Sequence, residues 1–134
     1  MNILDKIIAR KREEIAFSKS KISVEELKNS EYFGRETFSL KESVEARNGI
    51  IAEFKRQSPS KGIINDKVAP LEVVTKYQEF GASGISILTD KDFFGGSFED
   101  ILSVRNSVNI PILRKSFSSK IFRIFQFFNR NFTF

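Results

Sequence analysis

The sequence predicts an α/β fold with a parallel sheet. Three observations carry that expectation. Apolar runs at 50–55, 84–88 and 110–115 alternate with amphipathic helical stretches, at a spacing of about 30 residues. Capping signals mark where helices begin. Charged side chains, Glu53 and Lys55, stand at the carboxyl end of the first run, where β/α folds place their chemistry. The order strand–helix–strand–helix–strand implies parallel pairing with right-handed crossovers.

The chain opens on residues 2–17, where Ile3, Leu4, Ile7, Ile8 and Ile15 recur at helical spacing among Lys, Arg and Glu. This is an amphipathic helix that must pack on something. Ser23 with Glu26 three residues on forms a capping box and starts a short helix ending near Asn29. Residues 30–38 read as loop, broken at Gly34. Ser39 with Glu42 is a second capping box, opening a helix to about Arg47. Asn48-Gly49 is a turn signal.

The apolar start of 50–55 reads as a buried strand. Alternation places Ile51, Glu53 and Lys55 on one face and Ile50, Ala52 and Phe54 on the other. A carboxylate and an ammonium on an apolar strand are costly to bury unless paired or used. Such a pair serves equally as a structural ion pair, and the strand alone does not decide. The strand breaks at Ser58-Pro59-Ser60 and Gly62, and a loop follows.

Pro70 suits the first turn of a helix and Gly81 its C′ position. Leu71, Val74, Tyr77 and Phe80 form the apolar stripe between them. Residues 84–88 are the second strand and 89–96 its loop. Ser97 with Asp100 caps the next helix, which carries Ile101, Leu102 and Val104 to near Asn106. The third strand is 110–115, and Lys115 shares the inward face with Leu113.

Composition narrows the function. The chain has no Cys and no His, so a thiol nucleophile, a thiolate metal site and an imidazole base are excluded. No apolar run approaches the length of about 20 residues that spans a membrane, and the amino terminus is not that of a signal peptide. A cytoplasmic protein without membrane partners is the expectation. The net charge of +5 suggests nucleic acid only until it is located. Residues 1–100 hold 16 basic and 17 acidic residues, whereas 101–134 hold six basic and no acidic ones. A basic, aromatic tail could bind single strands, but aromatics without a folded platform bind little specifically. No nucleic-acid partner is expected.

Residues 117–134 contain seven of the 15 Phe and no Gly, Ala, Val, Leu, Asp or Glu. Phe, Lys, Asn and Ile are what AT-rich DNA yields in any frame. The stretch 116–134 therefore reads as an aberrant tail, from out-of-frame translation or a truncated gene.

Three segments resemble the indole-3-glycerol-phosphate synthase family. They are Ile51-Ala52-Glu53-Phe54-Lys55-Arg56 with Ser58-Pro59-Ser60, Ile87-Leu88-Thr89-Asp90 through Phe93-Phe94-Gly95-Gly96-Ser97, and Pro111-Ile112-Leu113-Arg114-Lys115. All three occur in the family's order, and the resemblance runs over about 1–115. After the third-strand lysine the family has Asp-Phe; here Ser116 replaces the Asp and only Phe117 fits.

The resemblance implies the amino-terminal part of a (β/α)8 TIM barrel preceded by a helical extension. Such a barrel takes about 250 residues, so the chain is expected to stop after the third strand. The expected divisions are 1–48 for the extension, 49–115 for three strands and two helices, and 116–134 for the tail. The implied activity is the decarboxylating ring closure of 1-(2-carboxyphenylamino)-1-deoxyribulose 5-phosphate, a step of tryptophan biosynthesis, and it implies no metal and no organic cofactor, which agrees with a chain lacking His and Cys. By the same resemblance Lys115 is the general acid, Lys55 pairs with the substrate carboxylate, and Glu53 holds the lysines and takes part in proton transfer. Ser58 and Pro59 belong to the loop over the anthranilate ring, and Phe94 and Phe117 to its apolar walls. The second acid/base glutamate and the phosphate loops belong to later strands. The chain alone is therefore expected to be inactive and, with an open sheet edge, to be unstable or to self-associate. The alternative is a non-catalytic fragment or an interaction module exposing its hydrophobic tail. Another phosphate-sugar barrel enzyme fits the Glu53, Lys55 and Lys115 set less well.

Overall fold

The computed structural model describes residues 1–30, 33–34 and 36–116. Two compact units divide them, the first taking in residues 1–36 and the second 37–116.

The first unit carries α1 (Ile3–Lys21) and α2 (Val24–Lys28). Asn2 and Asp5 cap α1 reciprocally, and Ser23 and Glu26 do the same for α2. The apolar stripe expected on α1 is buried only in its middle. Ile7 is 3% exposed, but Ile3 and Leu4 are about half exposed. Lys11 lies buried one turn on from Ile7 and reaches Glu14 Oε2 at 2.6 Å. Its long stem covers apolar surface while the ammonium finds a carboxylate.

The second unit is a three-stranded parallel sheet in the order β1–β4–β5, with β1 Ile51–Phe54, β4 Gly84–Leu88 and β5 Ile112–Lys115. The register sets Glu53 beside Ser86 and Ser86 beside Leu113. Helix α3 (Leu40–Ala46) packs on β4, so it goes with the strands although the sequence reading ended the helical extension at 48. Ser39 caps it by accepting from the Glu42 amide, and Ser43 donates to the Ser83 carbonyl at 2.6 Å. Gly49, at φ 78°, makes the turn into β1. Helix α4 (Pro70–Glu79) packs on β1 and β4, and α5 (Phe98–Arg105) packs on β5 and α4. The core lies between these helices and the outward face of the sheet: Phe54, Ile85, Ile87 and Ile112 against Val74, Ile101 and Val104.

Three expectations change here. Ile50 and Ile51 are 57% and 42% exposed, so the start of the first strand is not buried. Strand β1 is paired on one side only within the described sheet. The stripe of α4 is shorter than its sequence suggests. Val74 is fully buried, whereas Leu71 and Phe80 at the two ends are exposed, because the helix closes at Glu79 and Phe80 is already its cap. The segment after β1 is not all loop. Strands β2 (Gln57–Ser58) and β3 (Gly62–Ile63) form a small antiparallel hairpin. Two-residue strands carry no readable periodicity, and Gly62, at φ 64°, supplies the turn.

Candidate active site

The carboxyl ends of β1 and β5 converge on one carboxylate. Lys55 Nζ donates to Glu53 Oε1 at 3.0 Å, and Lys115 Nζ donates to Glu53 Oε2 at 2.8 Å. Alternation along β1 puts Glu53 and Lys55 on the inward face, and β5 delivers Lys115 to the same face from 62 residues away. The side chains of Glu53, Lys55 and Lys115 are 26%, 37% and 52% exposed. The cluster thus lies open along one side. Burial pushes the Glu53 carboxyl up, but the hydrogen bonds and charges of Lys115 and Lys55 outweigh it and hold the group below its ordinary value. Lys115 is the most exposed of the three.

Backbone contacts fix the platform. The Tyr77 hydroxyl on α4 donates to the Glu53 carbonyl at 3.0 Å. Beyond β1, Arg56 forks onto Asp100 at 2.6 and 2.8 Å and reaches the Gly95 carbonyl at 3.4 Å. Its guanidinium also stacks over Phe54, 5.2 Å from the ring centre. Asp100 in turn accepts from the Ser97 amide at 3.0 Å, starting α5. The arginine therefore ties the segment after β1 to the loop after β4. That loop is tight: the Gly96 amide donates to the Asp90 carbonyl at 2.7 Å, and a Cβ at Gly96 would overlap the Leu88 carbonyl. Backbone cannot yield as a flexible side chain can. Gly96→Ala is expected to destabilise the chain by about 3 kcal/mol, read as a lower urea midpoint. An unchanged midpoint would show that the loop is not held against β4.

The other expected site residues are placed less centrally. Ser58 is buried at the start of the hairpin turn, where its hydroxyl accepts from the Lys61 amide at 3.3 Å. Pro59 is exposed at the tip of that turn. Phe94 is half-buried in the loop after β4. Phe117 and the Phe-rich stretch lie outside the described residues. Sequence reasoning passed over Arg56, although it stands within the quoted motif, and Ser86, although alternation along β4 puts it on the inward face. Among the described residues no group of three or more His, Cys, Asp or Glu could hold a metal ion. No described helix is long and apolar enough to cross a membrane.

A parallel β/α sheet with its ionisable cluster at the carboxyl strand ends is the arrangement on which β/α folds build their sites. The family model "Indole-3-glycerol phosphate synthase" matches residues 4–127, and the chain belongs to that family. The match continues past 115, where the sequence reading ended the resemblance, so part of the Phe-rich stretch lies within it. An indole-3-glycerol phosphate synthase of Bacteroides thetaiotaomicron is 44% identical over 126 residues, covering 93% of this chain and 48% of the relative. Those of Aliarcobacter butzleri and Shouchella clausii are 42% and 40% identical, each over 86% of this chain. The chain spans about half the length of the curated relatives it matches.

Proposed function

We propose that this chain supplies the carboxylate-binding and acid-bearing part of an indole-3-glycerol phosphate synthase site. The observation that carries the reading is the single carboxylate of Glu53 bridging two lysines from different strands. The substrate is 1-(2-carboxyphenylamino)-1-deoxyribulose 5-phosphate. Lys55 receives its carboxylate, and Lys115 protonates the ribulose carbonyl oxygen as the ring carbon attacks. Carbon dioxide leaves, and then water. Glu53 holds both ammonium groups in place until substrate enters and takes part in the proton transfer that follows. Pro59 and Phe94 flank the aromatic ring. Closure by the remaining strands excludes water and strengthens the electrostatic contacts inside the site. The phosphate-binding loops and the second acid/base glutamate belong to those strands. The step is cytoplasmic and belongs to tryptophan biosynthesis.

The test is a chimera in which residues 1–115 replace the matching part of the Bacteroides thetaiotaomicron relative. Turnover is followed by indole fluorescence. The chimera is expected to turn over, and Lys55→Ala in it to raise KM more than tenfold, with a smaller loss in kcat. A folded chimera without turnover would overturn the reading.

A further inference from the structure

We infer that Ser86 is a positioning residue for Glu53: from the central strand its hydroxyl donates to Oε2 and fixes the carboxylate between the two lysines. Ser86 is 4% exposed, on the inward face of β4, directly beside Glu53 in the register and beside Leu113 on its other side. Its Oγ lies 3.5 Å from Glu53 Oε2, the oxygen that also takes Lys115. A buried hydroxyl needs a partner, and this carboxylate lies within its reach.

Mobility separates the three donors. The charged groups bonded to Glu53 are Lys55, just past the end of β1, and Lys115 from β5, both on long, partly exposed stems. Four rotatable bonds let an ammonium follow wherever the carboxylate goes. Ser86 has one rotatable bond and sits on the strand flanked on both sides. It is the donor that can set the carboxylate rather than follow it. Only the consequence for turnover rests on the proposed reaction; the hydrogen bond itself does not.

The full chain, labelled with carbon-13 at the glutamate carboxyls, is titrated by NMR, the Glu53 signal being assigned by its loss in Glu53→Gln. In Ser86→Ala the Glu53 carboxyl is expected to bind its proton about threefold more tightly. Ser86→Thr keeps the hydroxyl and is expected to restore the wild-type curve, which a general loosening of the fold would not do. A Ser86→Ala curve superimposed on wild type, or a folded Ser86→Thr that follows alanine, overturns the proposal. Should Ser86→Ala lose its far-UV circular dichroism, Ser86→Cys replaces it: a weak thiol donor is expected to titrate above Ser86→Thr, and coincidence of the two overturns the proposal. If the Glu53 shift is found while the chimera fails to turn over, Ser86 keeps its role and the assigned reaction falls.

Discussion

Lys115→Ala in the chimera is expected to lower kcat by about 10²- to 10⁴-fold, the range for loss of a positioned general acid, while KM changes little. Strand β5 ends with Lys115 on the inward face, and Glu53 draws its ammonium to 2.8 Å from across the sheet. Removing the ammonium removes the donor without touching the core, because Lys115 is half exposed and its neighbour Arg114 makes the buried contacts at that end of the strand. Arg114 donates to the Thr89 hydroxyl at 2.7 Å and stacks on Phe98. Lys115→Arg keeps the charge but loses the acid, and is expected to remain as slow as alanine. A raised KM with unchanged kcat would instead make Lys115 a binding residue. The contrast with Lys55→Ala separates the two lysines by kinetics alone.

Asp100→Ala is expected to destabilise the chain by about 3 kcal/mol, in line with removing one partner of a buried ion pair. The Asp100 side chain is 8% exposed and that of Arg56 21%. Alanine leaves the guanidinium partly buried without its carboxylate and also takes the acceptor from the Ser97 amide at the start of α5. Arg56→Met with Asp100→Leu removes both charges and is expected to cost less than Asp100→Ala alone. The measurement is urea unfolding of each variant. Equal midpoints for wild type and Asp100→Ala would show that the fork does not hold the two loops together.

The sequence made the β/α alternation legible because each helix start carries its own chemistry. Ser23, Ser39 and Ser97 cap where expected, and Pro70 begins α4. The inward placement of Glu53, Lys55 and Lys115 was legible too, since a period of two fixes the face once a strand is found. What alternation could not show is which neighbour a strand has. Ile50 and Ile51 look buried in the sequence and are not, because burial depends on pairing and cover rather than on hydropathy. Nor could spacing reveal the fork between Arg56 and Asp100, two residues 44 apart. Asp100 read as a helix cap, which it is, and its second role appears only when Arg56, beyond β1, reaches the start of α5. Ser86 was hidden by its ordinariness, a small residue in an apolar run.

The central claim is that one carboxylate, held by two lysines, organises the site, and the titration of Glu53 in the wild-type chain tests it most directly. A carboxyl whose folded pKa is depressed stabilises the fold above its unfolded value and loses that contribution as pH falls through the folded one. Glu53 is held below its ordinary value by Lys115 and Lys55, against burial. Its contribution is therefore complete at neutral pH and disappears only below the ordinary glutamate range of about 4.3. The expected result is a carbon-13 midpoint below that of an isolated glutamate, moved upward by Lys115→Met and upward again by the added Lys55→Met. A wild-type midpoint at or above the isolated value, unmoved by either substitution, would contradict the account.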